Sequence, residues 1–115
     1  MKINHITVLV KDNFKALDFY VDKLGFEKVI IKGKHCWAKV GDIYIHLAQN
    51  SGLSTKNSFQ HFAIIMKDLP SYIEKLKSRG VNVEIRDLQY FIRDIDGNLI
   101  ELIDENNKFL NPEYL

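Results

Sequence analysis

Residues 5–12 read HITVLVKD, and residues 61–68 read HFAIIMKD. Each octapeptide runs from a histidine through five mostly apolar residues into Lys-Asp, and the offset of 56 residues is close to half of the 115-residue chain. Self-similarity at such a spacing decides an architecture before any single residue does, because each copy is one supersecondary unit. The echo extends outward. NFKALDFYVDKLGFEKV (13–29) follows the first copy and LPSYIEKLKSRGVNVEI (69–85) the second, each with helical periodicity, then a glycine, then an extended segment. Each half closes on a strand after a turn, GDIYIHLAQ (41–49) and DGNLIELID (96–104), and His46 falls against Glu101 at an offset of 55.

Local signals agree with the duplication. In the first helix Phe14, Leu17, Val21 and Leu24 recur at a helical period, Asp12 or Asn13 caps the start, and Gly25 ends it. In the second, Asp68 is the cap, Pro70 sits in the first turn, Leu69, Ile73 and Leu76 form the buried stripe, and Gly80 is the stop. Alternation and β-rich content predict strands at 2–10, 26–31, 35–40, 42–49, 59–66, 82–86, 89–94 and 98–104. The expected fold class is α+β, two tandem β-α-β-β-β modules in a single 1–115 domain. The first module covers about 1–49, the polar stretch NSGLSTKNS (50–58) is the joint, and the second module covers about 59–105. A tail, 106–115, adds the apolar residues Phe109, Leu110, Tyr114 and Leu115.

Side chains alternate across a strand, so parity assigns faces. Ile6, Val8 and Val10 suit a helix-covered face, as do Phe62, Ile64 and Met66, Ile43, Ile45 and Leu47, and Ile100 and Leu102. The opposite faces then carry one metal-ligand-type residue per strand: His5, His46, His61 and Glu101. A lone strand histidine is more often a hydrogen-bonded core or surface residue than a ligand. Four such residues at equivalent places in two repeats form a constellation, and a carboxylate between Ile100 and Leu102 is costly unless paired or coordinated. On the same faces, Thr7 can hydrogen-bond a bound oxyanion, and Trp37, Tyr44 and Tyr90 or Phe91 can wall a pocket, although plain packing explains each as well. His35 is read near a turn in the opposite parity class from Trp37, solvent-facing and outside the site. Cys36 is read as a small apolar filler.

Composition bounds the function. Hydrophobic residues make up 46% and aromatics 11%, which places the chain among folded globular domains. Sixteen basic against fifteen acidic residues, a net charge of +1 without long blocks of one sign, argue against a nucleic-acid partner. The apolar start is interrupted by Asn4, His5 and Thr7 and lacks a small-residue cleavage pattern, so neither a signal peptide nor a membrane span is expected. One cysteine cannot form an internal disulfide, and a cytoplasmic location is the default expectation.

At these residues the chain resembles the vicinal oxygen chelate superfamily, which includes glyoxalase I, fosfomycin-modifying thiol transferases, extradiol dioxygenases, methylmalonyl-CoA epimerase and the metal-free bleomycin resistance proteins. NHITVLVKD (4–12), DFYVDKLGFE (18–27), HFAIIMKDL (61–69) and FIRDIDGNLIELID (91–104) carry the resemblance, and DIDGNLIE (94–101), with Ile95 where a proline is common, is the most specific piece. The resemblance implies a cup-shaped mixed sheet with helices outside. It implies a divalent metal (zinc, nickel, cobalt, manganese or iron) held by His5, His46, His61 and Glu101, and a homodimer. It further implies catalytic roles for Glu101, as ligand and base, and for His46, as a proton carrier if it is not coordinated. The metal would act as a Lewis acid on a compact substrate with vicinal oxygens.

Departures narrow the reaction. Glyoxalase I typically carries a glutamate where this chain has His46 and often a basic residue where it has Leu9. The fosfomycin-modifying enzymes use a serine- and glycine-rich loop that VEIRDLQYF (83–91) is too short to supply. The expected function is a small metal-dependent lyase, isomerase or thiol transferase. The alternative is a metal-free protein that binds or sequesters a small molecule in a groove at Trp37.

Overall fold

Asp12 and Asp68 open the two helices, each by turning a side-chain oxygen back onto the first free N–H groups. In the computed structural model, Asp12 Oδ1 accepts from the N–H of Phe14 and of Lys15, and Asp68 Oδ1 from that of Ser71. The structure describes residues 1–50, 58–108, 110, 111 and 113. Phe109, Tyr114 and Leu115 of the expected tail, and most of the expected joint, lie outside the described residues.

Among the described residues, eight strands and two α-helices follow in the expected order: β1 (His5–Val10), α1 (Asn13–Asp18), β2 (Glu27–Ile31), β3 (His35–Val40), β4 (Ile43–Gln49), β5 (His61–Met66), α2 (Leu69–Ser78), β6 (Glu84–Arg86), β7 (Gln89–Arg93) and β8 (Leu99–Asp104). They build two four-stranded mixed sheets with the same topology, β1-β4-β3-β2 and β5-β8-β7-β6. In each sheet the first and last strands of the module run parallel across the helix, and the remaining pairs are antiparallel. This is the expected α+β pair of β-α-β-β-β modules. Among the described residues no helix is long and apolar enough to cross a membrane.

The chain divides into two compact units, Met1–Ser58 with Asp94–Asn98, and Phe59–Arg93 with Leu99–Leu115. In the first, Val8, Val10, Leu17, Tyr20, Ile45 and Leu47 are buried between sheet and helix; in the second, Leu69, Leu76, Ile92, Ile100 and Leu102 are. Gly25 (φ +87°) and Gly80 (φ +81°) follow the helices in the left-handed conformation that a side chain opposes, so both helices stop where expected.

The first helical stripe needs correction. Leu17 and Leu24 are buried as expected, but Phe14 is 46% exposed and Val21 half-buried, and Ala16 and Tyr20 join the core in their place. A π-helical turn, Phe19–Lys23, follows α1 directly and contains Tyr20 and Val21. Tyr20 is fully buried there, and its hydroxyl donates to Asp94 Oδ2 at 2.9 Å.

Candidate functional site

Strand register places the two constellations identically. In the first sheet His46 pairs with Thr7, two residues after His5, and with Trp37 on its other side. In the second, Glu101 pairs with Ala63, two residues after His61, and with Phe91 on its other side. The match of His5 with His61, His46 with Glu101 and Trp37 with Phe91 is therefore a property of the hydrogen-bonded ladder as well as of the sequence.

In the second unit the pair is made. Glu101 is buried, 6% exposed, and its Oε1 lies 3.2 Å from His61 Nε2. His61 Nδ1 lies 2.8 Å from the carbonyl oxygen of Phe59, an acceptor only, so Nδ1 must carry the proton. The neutral ring then turns the lone pair of Nε2 toward a carboxylate oxygen, and two acceptors at 3.2 Å repel unless positive charge lies between them. A second proton supplies that charge, and so does a metal cation; a histidine that gives its other N–H to a carbonyl is the usual arrangement of a metal ligand. Glu101 Oε2 is held separately by Gln89 Nε2 at 3.2 Å. Phe91, fully buried, sets its ring edge-on to His61 at 5.4 Å, and the Arg86 guanidinium covers Phe91 at 5.2 Å. Glu84 joins Arg86 and Arg93 on the same face at 3.0 and 3.2 Å.

In the first unit the histidines take a different form. His5 Nδ1 is 2.9 Å from Asn4 Oδ1, which again leaves Nε2 with the lone pair. His46 stacks on Trp37 at 4.3 Å with the planes 18° apart, and the His5 ring stands edge-on to both. Burial, then the like charges of His5 and His35, hold the His46 pKa below the usual histidine value, so the ring is neutral at pH 7. A groove of about 670 Å³ reaches it, lined among others by Asp12, Phe14, His35, His46 and Ala48.

The structure thus gathers the four expected ligands as two pairs, and among the described residues no group of three or more histidine, cysteine, aspartate or glutamate side chains forms a metal cluster. Thr7 lies exposed on the face of His5, and Tyr44, half-buried, is edge-on to Trp37 at 6.3 Å. Two expectations are corrected. Tyr90 pairs with Leu102, on the helix-covered face, and borders a groove with Leu69, Ile73 and Asp104, so only Phe91 shares a face with Glu101. His35 lies two residues from Trp37 and therefore on the same face, near enough for its charge to reach His46. Gln89, Asn4 and the Phe59 carbonyl escaped the sequence reading. Counting by twos back from Phe91 would have placed Gln89 on the right face, but only the register shows that it reaches the carboxylate.

The most specific sequence segment, 94–101, opens with a turn, Asp94–Asn98, and ends on Glu101 of the site. Asp94 Oδ1 accepts from the N–H groups of Asp96 and Asn98, and Oδ2 from Tyr20 Oη and Asn98 Nδ2, while Asn98 Nδ2 also donates to the Leu9 carbonyl. Burial raises the Asp94 carboxyl pKa against these hydrogen bonds, which lower it, and burial and Asp94 raise that of Tyr20.

The comparisons with known proteins agree with this arrangement. A family model described as Glyoxalase/Bleomycin resistance protein/Dioxygenase superfamily matches residues 2–102. The chain is 30% identical over 112 residues to metallothiol transferase FosB of Staphylococcus haemolyticus, covering 87% of this chain and 81% of that one. Its fold is similar to that of a glyoxalase family protein from Bacillus anthracis, with a TM-score of 0.79, 22% identity and 90% and 94% of the two chains covered. It is also similar to that of the fosfomycin resistance protein FosX of Listeria monocytogenes, with a TM-score of 0.78, 22% identity and 100% and 98% covered.

Proposed function

For a chain that belongs to the glyoxalase/bleomycin resistance protein/dioxygenase superfamily, we propose the activity of a metal-dependent thiol transferase acting on a compact substrate with vicinal oxygens. The observation that carries this reading is the His61–Glu101 pair, whose facing Nε2 and Oε1 atoms need a positive charge between them. The name of the FosB relative supports both the metal and the thiol. His5, His61 and Glu101 are the proposed ligands, two of them imidazoles whose Nδ1 is already committed to an oxygen. When bound, a divalent ion of the zinc, nickel, cobalt, manganese or iron class would supply Lewis-acid polarisation of a substrate oxygen.

The chain's own residues handle the rest. In the transfer a sulfur–carbon bond forms, a carbon–oxygen bond breaks, and the thiol proton ends on the departing oxygen. His46, neutral at pH 7 and open to the groove, is the proposed base that takes the thiol proton and returns it. Trp37 fixes that ring by stacking, and Thr7 offers a hydroxyl to the substrate from the neighbouring strand. The hairpin between β6 and β7 turns through only Asp87 and Leu88, which leaves no room for the serine- and glycine-rich loop of the fosfomycin-modifying enzymes. Fosfomycin is therefore one candidate among small oxygenated electrophiles. The lone buried Cys36 fits the reducing cytoplasm in which thiol transfer runs. We also propose a homodimer as the working form.

Elemental analysis of protein purified without chelator tests the reading. About one divalent metal per chain is expected, lost in His61→Ala and Glu101→Ala. Protein that takes up none of the five metals would overturn it. With metal present, consumption of free thiol by candidate electrophiles, absent in His46→Gln, identifies the substrate.

A further inference from the structure

Glu101 is buried with its two oxygens in different company: Oε1 faces His61 Nε2, and Oε2 accepts from Gln89 Nε2, each at 3.2 Å. Gln89 is held in turn by its strand, since the β6–β7 hairpin closes at the Arg86–Gln89 pair, and Phe91, two residues on, lies directly opposite Glu101. A carboxylate whose second oxygen is engaged offers a cation one oxygen rather than two. We propose that Gln89 is the positioning residue of the cation seat: it reserves Oε2 and presents Oε1, so that Glu101 binds a metal through a single oxygen and leaves coordination positions open for a substrate that chelates through two. This rests on the metal-dependent reading above.

Co²⁺ titration of the full chain, followed by visible absorption, provides the test in wild type, Gln89→Met and Gln89→His. Methionine keeps the length of glutamine and removes the donor; histidine restores a donor. Wild type is expected to bind about one Co²⁺ per chain. Gln89→Met should bind about 10- to 100-fold more weakly, with a weaker visible band as the second carboxylate oxygen enters the coordination sphere, and Gln89→His should recover affinity and band. A loss of folding stability alone would not change the band of the bound ion. Unchanged affinity and spectrum in Gln89→Met overturn the role of Gln89 while leaving the metal reading intact. Wild type that binds no Co²⁺ overturns the metal reading and this proposal with it. Should Gln89→Met fail to fold, Gln89→His decides: a wild-type spectrum supports the proposal, and an altered one overturns it.

Discussion

At His61 the imidazole commits Nδ1 to a carbonyl and faces a buried carboxylate through Nε2, so the pair needs either a second ring proton or a cation between them. Replacing Glu101 by glutamine satisfies both neighbours, since the amide N–H can donate to His61 Nε2 and the amide oxygen can accept from Gln89. Glu101→Gln is therefore expected to abolish metal binding yet leave the melting of metal-free protein unchanged or stabilised by about 1 kcal/mol, read by calorimetry. A loss of several kcal/mol would show instead that the pair is a structural ion pair. His46 gives the pH dependence. Its folded pKa lies below the ordinary value, so its contribution to stability is present above pH 6.5 and is lost as pH falls through the folded pKa. Metal-free wild type should lose stability on acidification over that window, and His46→Gln should lose less, as melting temperatures at stepped pH would record. In His35→Gln the His46 midpoint, followed by NMR, should rise toward the ordinary value.

At the scale of elements, the turn Asp94–Asn98 is a fastening, and the π-helical turn after α1 is its counterpart. Tyr20, fully buried within that turn, reaches Asp94. Tyr20→Phe removes one of the two donors on Asp94 Oδ2 and should cost about 1–2 kcal/mol in denaturant unfolding. Asp94→Ala removes all four hydrogen bonds and leaves Tyr20 Oη unpaired, so about 2–4 kcal/mol is expected. Equal costs for the two would mean that the turn holds without its carboxylate. Much of this level was legible: Asp12, Asp68, Gly25 and Gly80 mark both helices, and alternation marks all eight strands to within a few residues. The first buried stripe was legible in part: Leu17 and Leu24 are buried as counted, whereas Phe14 is exposed and Tyr20 takes the place expected for Val21.

For the whole molecule, the expected homodimer has a direct test. If the metal ligands come from both copies, mixing His5→Gln with Glu101→Gln under conditions of subunit exchange should restore about a quarter of the wild-type metal sites. No recovery, or a monomer at micromolar concentration, would place the ligands in one chain.

The duplicated octapeptides by themselves determined the two modules, the strand and helix order, and the four residues His5, His46, His61 and Glu101 on the faces away from the helices. These follow from local periods, which a sequence carries in every window. Tertiary structure alone decided that His61 and Glu101 stand 3.2 Å apart with Gln89 behind them and that His46 stacks on Trp37, whereas the faces of His35 and Tyr90 already follow from alternation counted from Trp37 and Phe91. Which side chains touch depends on strand register and on where each ring nitrogen finds its acceptor. Both are long-range choices, settled only when the strands pair.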